Sequence, residues 1–184
     1  MVEVHETALP GVLELRPIRR GDERGFFSEV WNERDWVAAG VKERWVQDNH
    51  SRSAMGVLRG LHYQLAPFGQ AKLVRVSRGR IFDVAVDIRP ASPTFRRWCG
   101  AYLSAEDWNQ LFIPPGFAHG FLALEEGSEV QYKANAPYSA PHDRSVDPFD
   151  PDIGIVWPLD RGEMRLSPKD LAAPRLSDAE VPAE

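Results

Sequence analysis

Apolar and polar residues alternate along the chain in short runs and do not recur at the three-to-four-residue interval of a helix, which predicts strands. The clearest run is RIFDVAVDIR (80–89), where Phe82, Val84, Val86 and Ile88 fall on one face and Asp83, Ala85 and Asp87 on the other. The first face is expected to be core, and one of the two aspartates is expected to line a cavity. Nine further segments read as strands: VLELRPI (12–18), GFFSEVW (25–31), RWVQDNH (44–50), VLRGLHYQ (57–64), KLVRVS (72–77), WCGAYLS (98–104), NQLFIP (109–114), HGFLAL (119–124) and SEVQYKAN (128–135). The 14 glycines and 15 prolines fall between these runs, at intervals of roughly 8 to 12 residues, the spacing of an all-β sandwich or barrel. Helix signals are confined to ERDWVAA (33–39), closed by Gly40, and to a segment opening at Ser167 with Pro168 at its first helical position. From residue 136 onward proline predicts an irregular C-terminal extension that packs back on the strands, frayed from Leu176. Neither a repeat nor a linker divides residues 1–184, so one domain is expected.

Composition narrows the function classes. At 43% hydrophobic and 27% charged residues the chain has globular proportions, and no apolar run approaches the ~18 residues of a membrane span. The opening MVEVHETALPGVLEL lacks the charged head and apolar block of a secretory signal, so a cytoplasmic location is expected. Cys99 is the only cysteine, which excludes a disulfide framework and a cysteine-rich metal site. A net charge of −5 offers no broad positive field, so sequence-independent nucleic-acid binding is not expected.

The most specific local signal is IPPGFAHGF (113–121), which sets Pro114, Gly116 and His119 in a Pro-x-Gly-x-x-His pattern. It looks like the second motif of the cupin superfamily, and Gly56 and His62 in GVLRGLH have the spacing of the first. The metal-binding pattern is broken: Gln64 replaces the second histidine of His-x-His, the following glutamate is absent, and Ala123 stands where asparagine is usual. Two imidazoles are a poor ligand set for zinc or iron, so no metal is expected. Several residues read two ways. His62 is either a satisfied structural histidine or a base grouped with Arg59, Gln47, Asn49 and Lys72; on a regular strand Arg59 and His62 point to opposite faces, so a shared site requires a bulge at Gly60. Tyr132 is an ordinary sheet tyrosine or a proton donor. Asp170, in Ser167-Pro-Lys-Asp170, either satisfies a helix start or orients a histidine. Arg24, in GDERGFFSE, is either solvated or a phosphate clamp beside the ring of Phe27.

Taken in order, GDERGFF (21–27), VQDNHS (46–51), VLRGLHYQ (57–64), KLVRV (72–76), FDVAVDIR (82–89), SPTF (92–95), IPPGFAHGF (113–121) and DIGIVWP (152–158) resemble the dTDP-4-dehydrorhamnose 3,5-epimerase family over nearly the whole chain. The resemblance implies a metal-free, cofactor-independent cupin jelly roll that works as a homodimer on a dTDP-4-keto-6-deoxyhexose. It implies His62 as base, Asp170 as its dyad partner, Tyr132 as proton donor and Lys72 as stabiliser of the enolate oxygen. It further implies His119 in the sugar pocket with Asp83 behind it, and Arg24, Phe27, Glu29, Gln47, Asn49, Arg59 and Tyr138 at positions used for the nucleotide, its diphosphate or the sugar. The stretch from Asp143 to Asp150 departs from the family pattern, and mono-epimerases of antibiotic deoxysugar pathways share the histidine, lysine and tyrosine.

Overall fold

A computed structural model describes residues 2–182. In chain order its strands are β1 (Val2–Glu6), β2 (Leu13–Pro17), β3 (Arg20–Asp22), β4 (Gly25–Phe27), β5 (Gln47–Ser53), β6 (Leu58–Gln64), β7 (Lys72–Arg78), β8 (Arg80–Asp87), β9 (Trp98–Ser104), β10 (Gln110–Ile113), β11 (Phe117–Ala123), β12 (Ser128–Ala134) and β13 (Asp143–Ser145). Two short helices, α1 (Glu33–Ala38) and α2 (Pro168–Leu171), lie outside the strand block. Six strands in the order β1-β2-β10-β7-β12-β5 form one antiparallel sheet and five in the order β13-β6-β11-β8-β9 form the other, with β3-β4 a separate hairpin. The sheets pack face to face, burying Val74, Val76, Leu111, Ile113 and Val130 of the first against Ile81, Ala85, Leu103, Phe117 and Phe121 of the second. This is the all-β sandwich with peripheral helices that the alternation predicts, and the cupin-type architecture that the family resemblance implies.

On β8 the face of Phe82, Val84, Val86 and Ile88 is core, as expected, but the core it joins lies on the outer side of its sheet. Ile81, Asp83 and Ala85 share the face toward the opposing sheet, whereas Phe82, Val84, Val86 and Ile88 face outward and are covered by the C-terminal extension through Val146, Ile153 and Leu176. Period-2 alternation separates two faces without saying which is inside, and here both are buried.

Other boundaries also move. GFFSEVW is a strand only over Gly25–Phe27, and RWVQDNH enters its strand at Gln47 and continues to Ser53. The 136–158 stretch is less irregular than its prolines imply, because Asp143–Ser145 adds β13 to the edge of β6. Leu176 is 3% exposed, and the Tyr63 hydroxyl donates to the Glu180 carbonyl at 2.6 Å, so the chain is packed rather than frayed there; Ala183 and Glu184 lie outside the described residues. β2 is paired on both sides, by β1 and β10, and β1 and β5 form the two edges of the six-stranded sheet.

Candidate active site

A cavity of about 460 Å³ opens between the sheets, its lining including Arg59, His62, Lys72, His119, Tyr132, Lys169 and Asp170, with Ser51, Leu58, Phe121 and Arg165 also in its wall. His62, Arg59 and His119 come from the five-stranded sheet, Lys72, Tyr132 and Ser51 from the six-stranded sheet. The cavity is therefore bounded on opposite sides by different chemistry.

The bulge required at Gly60 is present. Between the pairs Arg59↔Phe121 and His62↔His119, β6 advances three residues while β11 advances two. The extra residue turns Arg59 and His62 toward one cavity and sets His62 directly across from His119. Only glycine fits: Gly60 has φ +138, and a Cβ would lie 2.5 Å from Gly120 Cα.

Asp170 is delivered by a strap. Arg165 N–H donates to the Gly56 carbonyl at 2.8 Å, and Leu58 N–H donates to the Arg165 carbonyl at 3.0 Å, clipping the extension to the start of β6. Gly56 permits this approach, since a Cβ there would stand 2.5 Å from the Glu163 carbonyl oxygen. Beyond the strap Ser167 Oγ caps α2 by accepting from Asp170 N–H at 3.2 Å. The capping motif is thus real, but the Asp170 side chain is not part of it: Asp170 Oδ1 accepts from His62 Nε2–H at 2.6 Å. A carboxylate only accepts, so Nε2 carries a proton and Nδ1 is the nitrogen left to act as a base. Burial pushes the Asp170 carboxyl up, but the bond from His62, the His62 charge, Ser167 and Lys169 outweigh it and hold the group below its ordinary range.

A second imidazole–carboxylate pair stands opposite. His119 Nε2–H donates to Asp83 Oδ1 at 2.7 Å, and Asp83 is fully buried. Burial drives His119 down, against the pull of Asp83 upward, which favours the neutral ring. Lys72 is pushed down to about 8 by burial, with Asp83 and Asp143 acting in the other direction. Its Nζ lies 6.0 Å from the Tyr132 ring centroid, and the Tyr132 and His119 rings are 6.5 Å apart. Burial raises Tyr132, so its phenol stays protonated well above neutral pH.

Gln47, Asn49 and Tyr138 form a bonded cluster beside this cavity rather than in its wall: Gln47 Nε2–H donates to Asn49 Oδ1 at 2.9 Å, and Tyr138 N–H donates to Gln47 Oε1 at 2.9 Å. The Tyr138 hydroxyl meets Asp143 at 3.2 Å, and Lys169 pairs with the same carboxylate, which joins the cluster to the rim. Arg24, Phe27 and Glu29 are not brought to the cavity. Arg24 pairs with Asp22 on the β3-β4 hairpin with its side chain 84% exposed, while Phe27 and Glu29 line a separate hollow with Arg20 and Trp36. Lys169 and Ser51 are wall residues that sequence reasoning did not single out; Lys169 directly precedes Asp170, and Ser51 shares strand parity with Asn49. Gln64, at the second ligand position of metal-binding cupins, spends its amide on the loop instead, donating to the Phe68 and Pro137 carbonyls and accepting from Ser139 N–H. Among the described residues, no group of three or more His, Cys, Asp or Glu could hold a metal ion.

The geometry has close counterparts. Residues 6–178 match the family model described as dTDP-4-dehydrorhamnose 3,5-epimerase. The dTDP-4-dehydrorhamnose 3,5-epimerase of Salmonella typhimurium is 51% identical over 180 residues, covering 97% of this chain and 98% of that protein. The crystal structure of the Legionella pneumophila dTDP-6-deoxy-D-glucose-3,5-epimerase in complex with dTDP-4-keto-L-rhamnose superposes with a TM-score of 0.95 at 42% identity, covering 100% of this chain and 99% of that one. A 3'-monoepimerase from Streptomyces bikiniensis, solved with dTDP-quinovose, gives a TM-score of 0.90 at 34% identity over 97% of this chain and 92% of that one. With a family model spanning nearly the whole chain and relatives near half identity end to end, this protein belongs to the dTDP-4-dehydrorhamnose 3,5-epimerase family.

Proposed function

We propose that this protein is an isomerase that inverts C3 and C5 of a dTDP-linked 4-keto-6-deoxyhexose, the step that yields dTDP-4-keto-L-rhamnose. The observation that carries the reading is a histidine on one sheet, paired with the Asp170 carboxylate of α2, facing a phenol and a buried lysine on the other sheet across one cavity. Both target C–H bonds flank the sugar ketone and are acidified by it. His62 takes the proton as the C–H electron pair moves onto the carbonyl oxygen, Asp170 stabilises the resulting imidazolium, and Lys72 meets the developing oxyanion. Tyr132 returns a proton from the opposite side, which inverts the carbon, and both groups reset by exchange with solvent. Substrate and product have the same oxidation level, so the chemistry needs no redox cofactor. Arg59 is the cation placed for the diphosphate, with Gln47, Asn49 and Tyr138 beside the cavity for the nucleotide.

The active form we infer is a homodimer. Phe26 and Phe27 on the β3-β4 hairpin are 55% and 68% exposed, and Arg24 extends into solvent near them, away from this chain's own cavity. For Arg24, Phe27 and Glu29 to act on the nucleotide, the hairpin must reach the cavity of a second copy. Light scattering is expected to give twice the chain mass, and a monomer mass at micromolar concentration removes the hairpin from the site. No helix among the described residues is long and apolar enough to cross a membrane; a cytoplasmic location fits a nucleotide-sugar substrate and one buried, unpaired cysteine.

Incubation with dTDP-4-dehydro-6-deoxyglucose in the presence of a chelator, followed by proton NMR, tests the reading. Undiminished conversion to the L-configured sugar is expected. Stoichiometric bound metal, together with loss of turnover in chelator, would place the protein among metal-dependent cupins instead.

A further inference from the structure

Lys72 occupies an unusual position for a group asked to carry charge. It is buried between the sheets, and its ammonium makes one long polar contact, a 3.5 Å bond to the His62 carbonyl. Five ionisable groups face it from the surrounding strands: His62 on β6, Asp83 on β8, His119 on β11, Tyr132 on β12 and Asp143 on β13. Two of these can be negative at neutral pH. Asp143 is already paired with Lys169 and Tyr138 at the rim. Asp83 is different, because one oxygen is engaged by His119 and the other, Oδ2, is buried without any partner. A fully buried carboxylate oxygen left unpaired is costly unless its charge is used.

We propose that Asp83 is a positioning residue for the reaction, its free oxygen maintaining Lys72 as an ammonium next to the substrate's carbonyl oxygen while its other oxygen fixes the tautomer of His119. This rests on the epimerase reading above, in which Lys72 stabilises the enolate. One carboxylate thereby prepares two groups: the His119 proton is held on Nε2, and the lysine keeps the charge that burial acts to remove. Without Asp83, Asp143 is the sole remaining acid acting on Lys72, and it is shared with Lys169.

Asp83→Asn separates the two duties. The amide oxygen still accepts from His119 Nε2–H, but the charge is gone. Among the four lysines of the chain, Lys72 can be followed by ¹³Cε NMR, assigned through Lys72→Arg. In the native protein its titration is expected near about 8, where burial lowers it and Asp83 and Asp143 pull it back up. In Asp83→Asn the midpoint is expected to fall by about one pH unit, the scale on which a nearby charge acts. The alkaline limb of kcat/KM should fall with it, so that above both midpoints the variant is about tenfold slower beyond any loss at lower pH. His119→Asn leaves the carboxylate in place and is expected not to lower the Lys72 midpoint. An equal fall in both variants would make Asp83 merely a support for His119, and an unmoved Lys72 titration in Asp83→Asn would overturn the proposal. The NMR titration does not depend on turnover, so failure of the epimerase reading shows separately, as absent conversion with a shifted lysine. If Asp83→Asn does not fold, the native Asp83 ¹³Cγ resonance decides: it must shift with the Lys72 midpoint, and independence of the two signals rejects the coupling.

Discussion

His62→Asn is expected to lower turnover at least ~10²-fold while leaving dTDP binding nearly unchanged, the signature of losing a general base and nothing else. Asparagine is close to histidine in polarity, and its amide can still donate toward Asp170, which accepts from His62 at 2.6 Å in the native protein. What it lacks is a basic nitrogen. The backbone here is fixed by the β6–β11 pairing and the bulge rather than by the imidazole, so the cavity should keep its shape. Arg59, on the same strand and bonded to Ser53 Oγ at 3.1 Å, should keep its hold on the diphosphate. Turnover is measured by proton NMR and dTDP affinity by calorimetry. Unchanged turnover sinks the assigned role of His62, and loss of both turnover and binding would point to a collapsed cavity rather than a missing base.

How much of this site was legible beforehand depends on what kind of information each part carries. His62, Lys72, His119 and Tyr132 sit on strands whose alternation is strong, and the motifs around Gly56 and Pro114 mark where β6 and β11 run. Side-chain parity on a regular strand nevertheless separates Arg59 from His62. What unites them is a single extra residue, and the glycine at position 60 was its only local signal. Asp170 was ambiguous because Ser-x-x-Asp is a helix-start pattern, while an aspartate there could also orient a histidine. The structure divides the motif, with the serine and the aspartate backbone making the cap and the aspartate side chain leaving for His62. Nothing within ten residues of Asp170 announces that partner, which lies 108 positions away.

The misread elements share a different cause. β1 and β13 are held by backbone pairing to β2 and β6, and edge strands need no hydrophobic periodicity of their own to form. β8 is another case: its alternation was correct and its apolar face is core, but that core lies on the outer side of the sheet. The apolar face is covered by a C-terminal extension whose own pattern is broken by prolines, and the face that carries Asp83 turns toward the opposing sheet. Buried carboxylates such as Asp83 and Asp87 are given partners: His119 donates to Asp83, and Asp87 is held to about 2 where burial, pushing it up, is outweighed by bonds from Arg89, Ser92 and Thr94. That loop is architecture, whereas Asp83 keeps one oxygen free.

Run in deuterated water with dTDP-4-dehydro-6-deoxyglucose, the enzyme is expected to incorporate label at both C3 and C5, with C3 labelled first. Each inversion passes through an enolate that is reprotonated from groups exchanging with solvent, so every carbon the base reaches becomes deuterated even where the equilibrium leaves little inverted product. Both signals should vanish in His62→Asn. Tyr132→Phe should retain exchange better than inversion, because return of a deuteron from the His62 side needs only the base, whereas inversion needs a donor on the other sheet. The contrast matters because the same scaffold supports single inversion, as the Streptomyces bikiniensis 3'-monoepimerase shows at 34% identity. Against it stand the 3,5-epimerases of Shigella flexneri and Salmonella typhimurium, at 49% and 51% identity over the same length. If label were confined to one carbon after prolonged incubation, the base would be intact and the sugar held in one orientation. The segment to alter would then be Asp143 to Asp150, since Asp143 ties Tyr138 to Lys169, which lines the cavity.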